Sequence, residues 1–278
     1  MPITIKNKEE IEGMRVAGRI ASQVLDYLTP FVKPNKTTNQ LDKLAYDFMV
    51  HELKVVPAPL NYNPSGDNPY PKSICTSVNH QVCHGIPNDK PLRKGDILNI
   101  DVTVIKDGWH GDTSRMFMLG GAEAASVAAR RLCSITYDAM WHGIAAIKAG
   151  NHINEIGAAI QHFAHSHGCS VVRDYCGHGV GRGFHEEPQV LHYKAGAADK
   201  NSPNLLLQEG MTITVEPMIN AGKYETKSLS DGWTVVTKDH SLSAQWEHTV
   251  LVTATGFEVL TLSEGYPPLP GFIASTNT

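Results

Sequence analysis

Two aspartates, Asp101 and Asp112, flank an Asp-Gly pair at 107–108 within stretches rich in Val, Ile and Thr. An Asp-Gly pair between such stretches is a strong signal for a β-hairpin. With a two-residue loop, Asp101 lies opposite Ser114 and Asp112 opposite Thr103, so the aspartates are diagonal neighbours on one face, about 7–8 Å apart. Carboxylates at that separation can reach one metal ion or a pair of ions. Most isolated carboxylates simply face water, which leaves open the alternative that both aspartates are only solvated or cap turns.

Three further segments carry side chains that bind hard cations. His178 lies in the glycine-rich YCGHGVGRGFHEEP, while Glu216 and Glu247 interrupt apolar strand patterns in ITVEPM and QWEHTVLV. An unpaired carboxylate in such a pattern carries a heavy desolvation cost, which a cation removes. With the hairpin aspartates they form an oxygen-rich set suited to Mn, Fe, Co or dinuclear Zn, unlike the cysteine sets of structural zinc. The glycine-rich loop matches neither phosphate-binding pattern, and no HExxH motif is present.

Composition bounds the class of protein. The chain has 278 residues, 41% hydrophobic and 19% charged, with a net charge of -4, as expected for a globular enzyme rather than a general nucleic-acid binder. Neither a signal peptide nor an apolar stretch of membrane-spanning length is apparent. Five scattered cysteines without a CxxC pair predict free thiols and a cytoplasmic location.

Hydrophobic spacing predicts helices over about 8–29, from a cap at Thr38, and over 122–148 and 152–167. This order, two helices then strands, occurs twice and suggests an internal duplication. A short match that chance can also produce supports it, because Gly95 precedes Asp101 by the same six residues as Gly210 precedes Glu216. The expected fold is α+β, with one curved antiparallel β-sheet covered by helices on its outer face. Strands are expected near 73–79, 97–105, 110–118, 171–175, 211–219, 233–237 and 245–253, with a loop over 54–72 and a loose tail in the last dozen residues.

Five segments together resemble type I methionine aminopeptidases of the bacterial type, which lack an N-terminal zinc-binding extension. The resemblance runs from the first helix to about residue 262, and its motifs are specific. The segments are VCHGIP (82–87), NIDVTVIKDGWHGDTSRMF (99–117), YCGHGVGRGFHEEPQVLHY (175–193), TVEPMINAG (214–222) and DGWTVVTKDHSLSAQWEHT (231–249).

The resemblance implies a single catalytic domain with the pita-bread fold, its pseudo-two-fold halves spanning about 8–120 and 121–262, followed by a C-terminal tail at 263–278. It implies two divalent metal ions, with Asp101 on one, Asp112 and Glu247 bridging, and His178 with Glu216 on the other. The implied activity is removal of the N-terminal methionine from nascent proteins with a small second residue, by attack of a metal-bridging water on the methionine carbonyl.

Roles for other residues follow from the same resemblance. Glu216 is expected to move the proton of the attacking water to the leaving amine, His185 to stabilise the oxyanion, and His84 to bind the peptide nitrogen. The loop 59–70 is longer than in familiar bacterial relatives and carries Pro59 where some have a pocket cysteine, which leaves the pocket rim open. The methionine side chain is expected in a pocket built by Tyr62, Tyr70, Cys75, Phe184 and Trp233.

The expected partners are N-terminal methionyl peptides and nascent chains, and the protein is expected to be a monomer. A transient ribosome contact is left open, since the sequence does not show a surface for it. Two other functions also stay open: a proline-directed dipeptidase of the same fold, and a non-catalytic binding protein that would have lost one or more metal ligands.

Overall fold

The computed structural model describes residues 3–195 and 205–274. Within them lie the helices α1 (Lys8–Leu28), α2 (Thr38–Asp47), α3 (Val127–Ala145), α4 (Asn154–Ser166) and the short α5 (Gly271–Ala274). α1 begins with a capping box, in which the Asn7 side chain accepts from the backbone N–H of Glu10 and the Glu10 carboxylate accepts from the N–H of Asn7. The four predicted helices are thereby confirmed.

The helix ends differ from the predicted ones for local reasons. α2 is capped by Thr37 rather than Thr38, because the Thr37 side chain accepts from the N–H of Gln40. A π-helical turn, Phe48–Glu52, then prolongs α2. α3 starts five residues later than position 122, because Ser126 caps it through the N–H of Ala129 and a separate 3₁₀ turn occupies Ala122–Ala124.

Fifteen strands, most of them short, occur in the described residues. The predicted strands are present, although the one expected over 171–175 is reduced to two residues. In chain order the fifteen strands are β1 (Val56–Pro57), β2 (Cys75–Val78), β3 (Gln81–Cys83), β4 (Ile97–Lys106), β5 (Trp109–Met118), β6 (Ser170–Val171), β7 (Gly177–Gly179), β8 (Glu186–Val190), β9 (Thr212–Val215), β10 (Met218–Asn220), β11 (Thr226–Ser228), β12 (Val235–Thr237), β13 (Ser243–Gln245), β14 (His248–Val252) and β15 (Phe257–Val259). Six of them were not predicted, because strands of two to five residues carry too little periodicity: β1, β3, β7, β8, β11 and β15.

All strand pairs among the described residues are antiparallel, as predicted, but they form four hydrogen-bonded sheets instead of one. The two that matter most are β1-β4-β2 with β5 beside β4, and β15-β14-β9-β7-β8. A backbone bridge between Ser114 of β5 and Glu247 joins them. The smaller sheets are β13-β10-β6 and β11-β12-β3.

Equivalent hydrogen bonds in the two halves support the proposed duplication. The N–H of Gly95 donates to Leu119 O, and the N–H of Leu119 donates to Asp96 O, at 2.8 and 2.9 Å. In the second half, the N–H of Gly210 donates to Val252 O, and the N–H of Val252 donates to Met211 O, at 3.0 and 2.8 Å. Both glycines have a left-handed backbone, with φ of 91° and 89°. By this correspondence Ser114 is equivalent to Glu247, so the bridge between the sheets joins positions related by the pseudo-two-fold.

The core lies between the helices and the strands. α1 turns its buried residues, including Met14, Ala17 and Leu25, toward β4 and β5. α3 and α4 pack against each other and contribute Trp141 and Ile160, both almost fully buried. All five cysteines are free thiols, as predicted. No helix in the described ranges is both long enough and apolar enough to span a membrane.

Residues 263–274 pack on the rest of the chain, whereas composition predicted a loose tail over the last dozen residues. Tyr266 is buried, and its hydroxyl lies 2.5 Å from the Thr113 hydroxyl on β5. The Arg115 guanidinium stacks on the Tyr266 ring at 4.2 Å. Ile273 in α5 is also buried. Pro and small polar residues therefore accompany a packed segment, whose anchoring aromatic was not recognised in the sequence.

Candidate metal centre

The hairpin of β4 and β5 has the geometry that the sequence predicted. Asp107 and Gly108 form its two-residue turn, with φ of 51° and 81°, the left-handed pair that a type I′ turn requires. Asp101 pairs with Ser114, and Thr103 pairs with Asp112. Both aspartates therefore lie on the same face, and both line one cavity.

His178 enters this cavity from the middle of β7. A side chain at the preceding Gly177 would lie 2.4 Å from Thr214 O, so only glycine lets the strand approach β9 this closely. The imidazole Nδ1 lies 2.9 Å from Gly179 O, which requires a proton on Nδ1 and leaves the lone pair on Nε2. Nε2 lies 3.6 Å from Asp112 Oδ2 and 3.5 Å from Glu216 Oε1. Three acceptor atoms thus face each other.

Glu216 and Glu247 project from neighbouring strands of the second half. Glu216 follows β9 directly and Glu247 directly precedes β14, so the antiparallel register continues to bring them face to face. The Thr214 hydroxyl and the Gln245 amide donate to the two oxygens of Glu216, at 2.7 and 3.2 Å. The backbone of Glu247 is held by β5, because Thr113 Oγ1 donates to Glu247 O at 2.8 Å.

The acidic side chains form two overlapping groups. Ligand atoms of Asp101, Asp112 and Glu247 all lie within 4.8 Å of one another. The second group comprises Asp112, His178 and Glu216, and the two groups share Asp112. Such a pair of oxygen-rich groups joined by a common carboxylate fits two divalent cations.

The electrostatics of the cavity support the same fit. Burial raises the pKa of Asp112 to about 7, although the 2.6 Å hydrogen bond from Thr103 opposes the shift. Burial, then repulsion from Asp112, raises the pKa of Glu216 and of Glu247 well above the usual value. Burial lowers the pKa of His178 to about 4, so its imidazole is neutral and offers no counter-charge. Four carboxylates without a cationic side chain among them need bound cations to be ionised together.

Two histidines stand on the other sides of the cavity. His84 follows β3 with a left-handed φ of 54°, an unfavourable conformation for a residue with a side chain. Its ring meets Tyr175 edge-on, with centroids 5.5 Å apart. His185 lies near His178, with ring centroids 4.3 Å apart, and its Nδ1 lies 2.7 Å from the Tyr62 hydroxyl. Burial lowers the pKa of His84 to about 4, so that imidazole is also neutral.

The cavity has a volume of about 360 Å³ and brings together all the residues singled out in the sequence. Tyr70 is buried in its wall, with its hydroxyl donating to Ile74 O or Gly85 O at 3.1 and 3.0 Å. Phe184, Trp233, Tyr62 and Cys75 complete the wall on the apolar side. Seven other lining residues were given no role from the sequence, although five of them lie within two residues of a chosen one: Pro64, Cys83, Thr103, Asp174, Tyr175, Cys176 and Met218.

Comparison with known proteins agrees with this site. The profile of metallopeptidase family M24 matches residues 12–254. The chain belongs to this family. Within family M24, it is 54% identical over 263 residues to a methionine aminopeptidase of Escherichia coli strain K12, covering 94% of this chain and 95% of the relative. The expectation of a type I methionine aminopeptidase, a metal-dependent hydrolase, is confirmed.

Solved structures confirm the fold. The crystal structure of methionine aminopeptidase from Rickettsia prowazekii superposes with a TM-score of 0.87 at 53% identity, covering 94% of this chain and all of that one. A prolidase from Pyrococcus furiosus superposes with a TM-score of 0.70 at 23% identity, and the match covers only 66% of its chain. The prolidase shares the fold alone. The pita-bread architecture that the family resemblance implied is confirmed.

Proposed function

We propose that this methionine aminopeptidase holds two divalent cations and uses them to remove the N-terminal methionine from peptides and nascent chains with a small second residue. The observation that carries the proposal is the meeting of four carboxylates, two of them buried and two partly buried, and one neutral imidazole in a single cavity that aromatic side chains also line. The two ligand groups sharing Asp112 support two metal positions. The donor set suits Mn, Fe, Co or Zn, and availability decides among them.

Asp101, Asp112, His178, Glu216 and Glu247 would hold the cations. When bound, divalent cations polarise a peptide carbonyl and lower the pKa of water, which makes a nucleophile accessible near neutral pH. The tautomer of His178, fixed by Gly179 O, directs its Nε2 lone pair to this task.

Glu216 is proposed to accept the proton of the attacking water and to pass it to the leaving amine. Peptide cleavage needs this transfer, because an unprotonated amine is a poor leaving group. Thr214 and Gln245 each hold one of its carboxylate oxygens, so the group is oriented before the substrate arrives. His185 is proposed to donate to the carbonyl oxygen as negative charge develops there, and His84 to bind the peptide nitrogen. Full activity in Glu216→Gln would remove Glu216 both from the proton transfer and from the metal ligands.

The apolar wall is proposed to bind the methionine side chain. Its thioether packs favourably against the aromatic rings of Tyr70, Phe184 and Trp233, and the Cys75 thiol adds a small polarisable contact. Neighbouring Cys83 and Met218 extend the same polarisable surface. A second residue with a small side chain would leave the scissile bond free to lie over the carboxylates. The enzyme is proposed to act as a monomer in the cytoplasm.

The decisive experiment strips the protein of metal, returns Mn, Fe, Co or Zn in graded amounts, and compares Met-Ala-Ser, Met-Leu-Ser and an Xaa-Pro dipeptide as substrates. The expected result is cleavage of Met-Ala-Ser alone, rising with metal up to two equivalents. Cleavage of the Xaa-Pro dipeptide would instead indicate a proline-directed dipeptidase. A failure of every metal to restore cleavage would favour a non-catalytic binding protein. Saturation of activity at one equivalent would contradict the two-metal proposal.

A further inference from the structure

A hydrogen bond across the cavity links the loop 59–70 to one of the two proposed substrate-binding histidines. The Tyr62 hydroxyl lies 2.7 Å from Nδ1 of His185, and the two rings are 5.2 Å apart between centroids. Neither of these atoms has another hydrogen-bond partner in the part of the chain that the structure describes. The contact therefore governs which nitrogen of His185 carries the proton.

Two directions are available to this hydrogen bond. A neutral imidazole has one N–H donor and one lone-pair acceptor. If Nδ1 were the donor, Nε2 would carry a lone pair, and it would repel a developing oxyanion. If the tyrosine O–H is the donor, it meets the lone pair of Nδ1, and Nε2 carries the proton. Only the second arrangement gives His185 a donor for the role assigned to it above.

We propose that Tyr62 is a positioning residue that donates its O–H to Nδ1 of His185 and so keeps the proton of that imidazole on Nε2, available to the reacting carbonyl oxygen. The inference rests on the proposed function of His185. It goes beyond the expected contribution of Tyr62 to the apolar wall of the methionine pocket.

Contacts of the loop hold Tyr62 in place for this task. The backbone of Tyr62 is fixed on both sides, by its N–H to Pro59 O and by the N–H of Tyr70 to Tyr62 O, each at 2.9 Å. Its ring packs on Phe184, with centroids 4.9 Å apart.

The far end of the loop is tied to the opposite rim through Asn68. The Asn68 amide donates to Asp231 O at 2.9 Å, and the Trp233 indole N–H donates to Asn68 O at 3.1 Å. These two contacts tie the loop to the segment that carries Trp233, which also lines the cavity. The loop sequence, which had left the pocket rim open, thus supplies an anchor of its own.

Tyr62→Phe tests the proposal, since it keeps the ring and removes only the hydroxyl. The expected result is a kcat lowered about tenfold, the loss of one hydrogen bond acting in the transition state, with a KM changed less than twofold. The same substitution in a His185→Ala background is expected to have no further effect. Tyr46→Phe on α2 is the matched control, because Tyr46 also lies beside a histidine, His51, but outside the cavity, and it should leave kcat unchanged.

Nitrogen-15 NMR of the histidines in the zinc-loaded protein gives a readout independent of turnover. In the wild type, His185 should show a protonated Nε2 and an unprotonated Nδ1, and in Tyr62→Phe it should show a mixture of both tautomers. Asn68→Ala, which frees the loop, should lower kcat in the same direction by about threefold.

Different results would overturn different statements. A protonated Nδ1 in wild-type His185, or a Tyr62→Phe enzyme with wild-type kcat, would refute the role of Tyr62. Equal losses from Tyr62→Phe with and without His185 would show that Tyr62 acts through something else. If His185→Ala itself kept full kcat with normal metal content, the proposed function of His185 would fail first, and the NMR result would still decide the tautomer.

Discussion

The Thr103 hydroxyl donates a 2.6 Å hydrogen bond to Oδ1 of Asp112, the carboxylate that the two ligand groups share. This bond leaves Oδ2 of Asp112 directed toward His178, 3.6 Å from its Nε2. Thr103 and Asp112 face each other across the β4–β5 hairpin, so the strand register itself brings them into contact. The orientation of the shared ligand therefore depends on a residue that is not itself a ligand.

Thr103→Val should weaken metal binding about tenfold, because loss of an orienting hydrogen bond typically costs that much in affinity. Isothermal titration of the metal-free protein with Mn or Zn measures the change. Thr76→Val on β2 is the matched control, since Thr76 is also buried but its hydroxyl has no partner among the described residues. Equal affinities for the wild type and Thr103→Val would contradict the orienting role.

His185→Ala should lower kcat about a hundredfold, the usual cost of removing one donor to a developing oxyanion. Metal content, measured by mass spectrometry on the same samples, should stay at the wild-type level, because His185 is not among the proposed ligands. His165→Ala, which alters an exposed histidine on α4, provides the comparison and should change neither quantity. A parallel loss of metal and rate would assign His185 to the metal centre instead.

The segment 181–185, which carries Phe184 and His185, is held in place by a largely buried ion pair between Lys6 and Glu186. Lys6 Nζ lies 3.0 Å from Glu186 Oε2, and Gly183 N–H donates to the other Glu186 oxygen at 2.7 Å. Lys6 is 4% exposed. Lys6→Met should therefore cost about 3 kcal/mol of unfolding free energy and raise KM, because it leaves a buried carboxylate without its partner.

Double-mutant analysis separates the ion pair from the packing of either side chain. Lys6→Met with Glu186→Gln should destabilise the protein by less than Lys6→Met alone, since the unpaired charge is gone. Urea unfolding of the four proteins measures the coupling. Strictly additive losses would show that Lys6 and Glu186 act independently.

The metal-free protein should lose stability as the pH rises from about 4 through 7 and beyond. The pKa of Asp112 is about 7 in the folded protein because of burial, whereas an unfolded aspartate titrates near 4, so the folded state holds an extra proton between these values. The free energy of unfolding therefore falls across this range by up to about 1.4 kcal/mol per pH unit and group. The carboxylates of Glu216 and Glu247, whose pKa values are also raised, extend the trend to higher pH.

Histidines act in the opposite direction up to about pH 7.5. Burial lowers the pKa of His84 and His178 to about 4, whereas an unfolded histidine titrates near 6.5, so the unfolded chain binds the extra protons there. Urea unfolding at pH 7.5 and pH 8.5 avoids this range and should give the lower free energy of unfolding at pH 8.5 without metal, with a smaller decrease when metal is bound. A metal-free protein that is more stable at pH 8.5 would be inconsistent with the raised pKa values of the site carboxylates.

The long elements and the hairpin could be predicted from sequence because their signals are local. A capping box at Asn7, helical spacing behind it and the Asp-Gly turn at 107–108 each depend on neighbouring residues. With a two-residue loop, the register of that turn places Asp101 and Asp112 on one face, as the structure has them. The roles of all the site residues remain proposals, although the structure brings them into a single cavity.

Contacts between distant segments could not be predicted in the same way. The pairing of Lys6 with Glu186 spans 180 residues, and the Tyr62 hydroxyl reaches His185 over 123. Neither pair has a sequence pattern, since both depend on how the two halves meet. β7 was missed for a similar reason, because a strand of glycines around one histidine has no apolar periodicity, and its partner strands define it.

The bridge between Ser114 and Glu247 has a consequence for how activity arises during folding. The first half of the chain contributes only Asp101 and Asp112 to the proposed ligand set, and His178, Glu216 and Glu247 all come from the second. A chain that has completed only its first half, or whose halves have not yet docked along this bridge, lacks a complete metal centre. Such an intermediate would be inert toward every other emerging polypeptide, so peptidase activity would begin only with the fully assembled molecule.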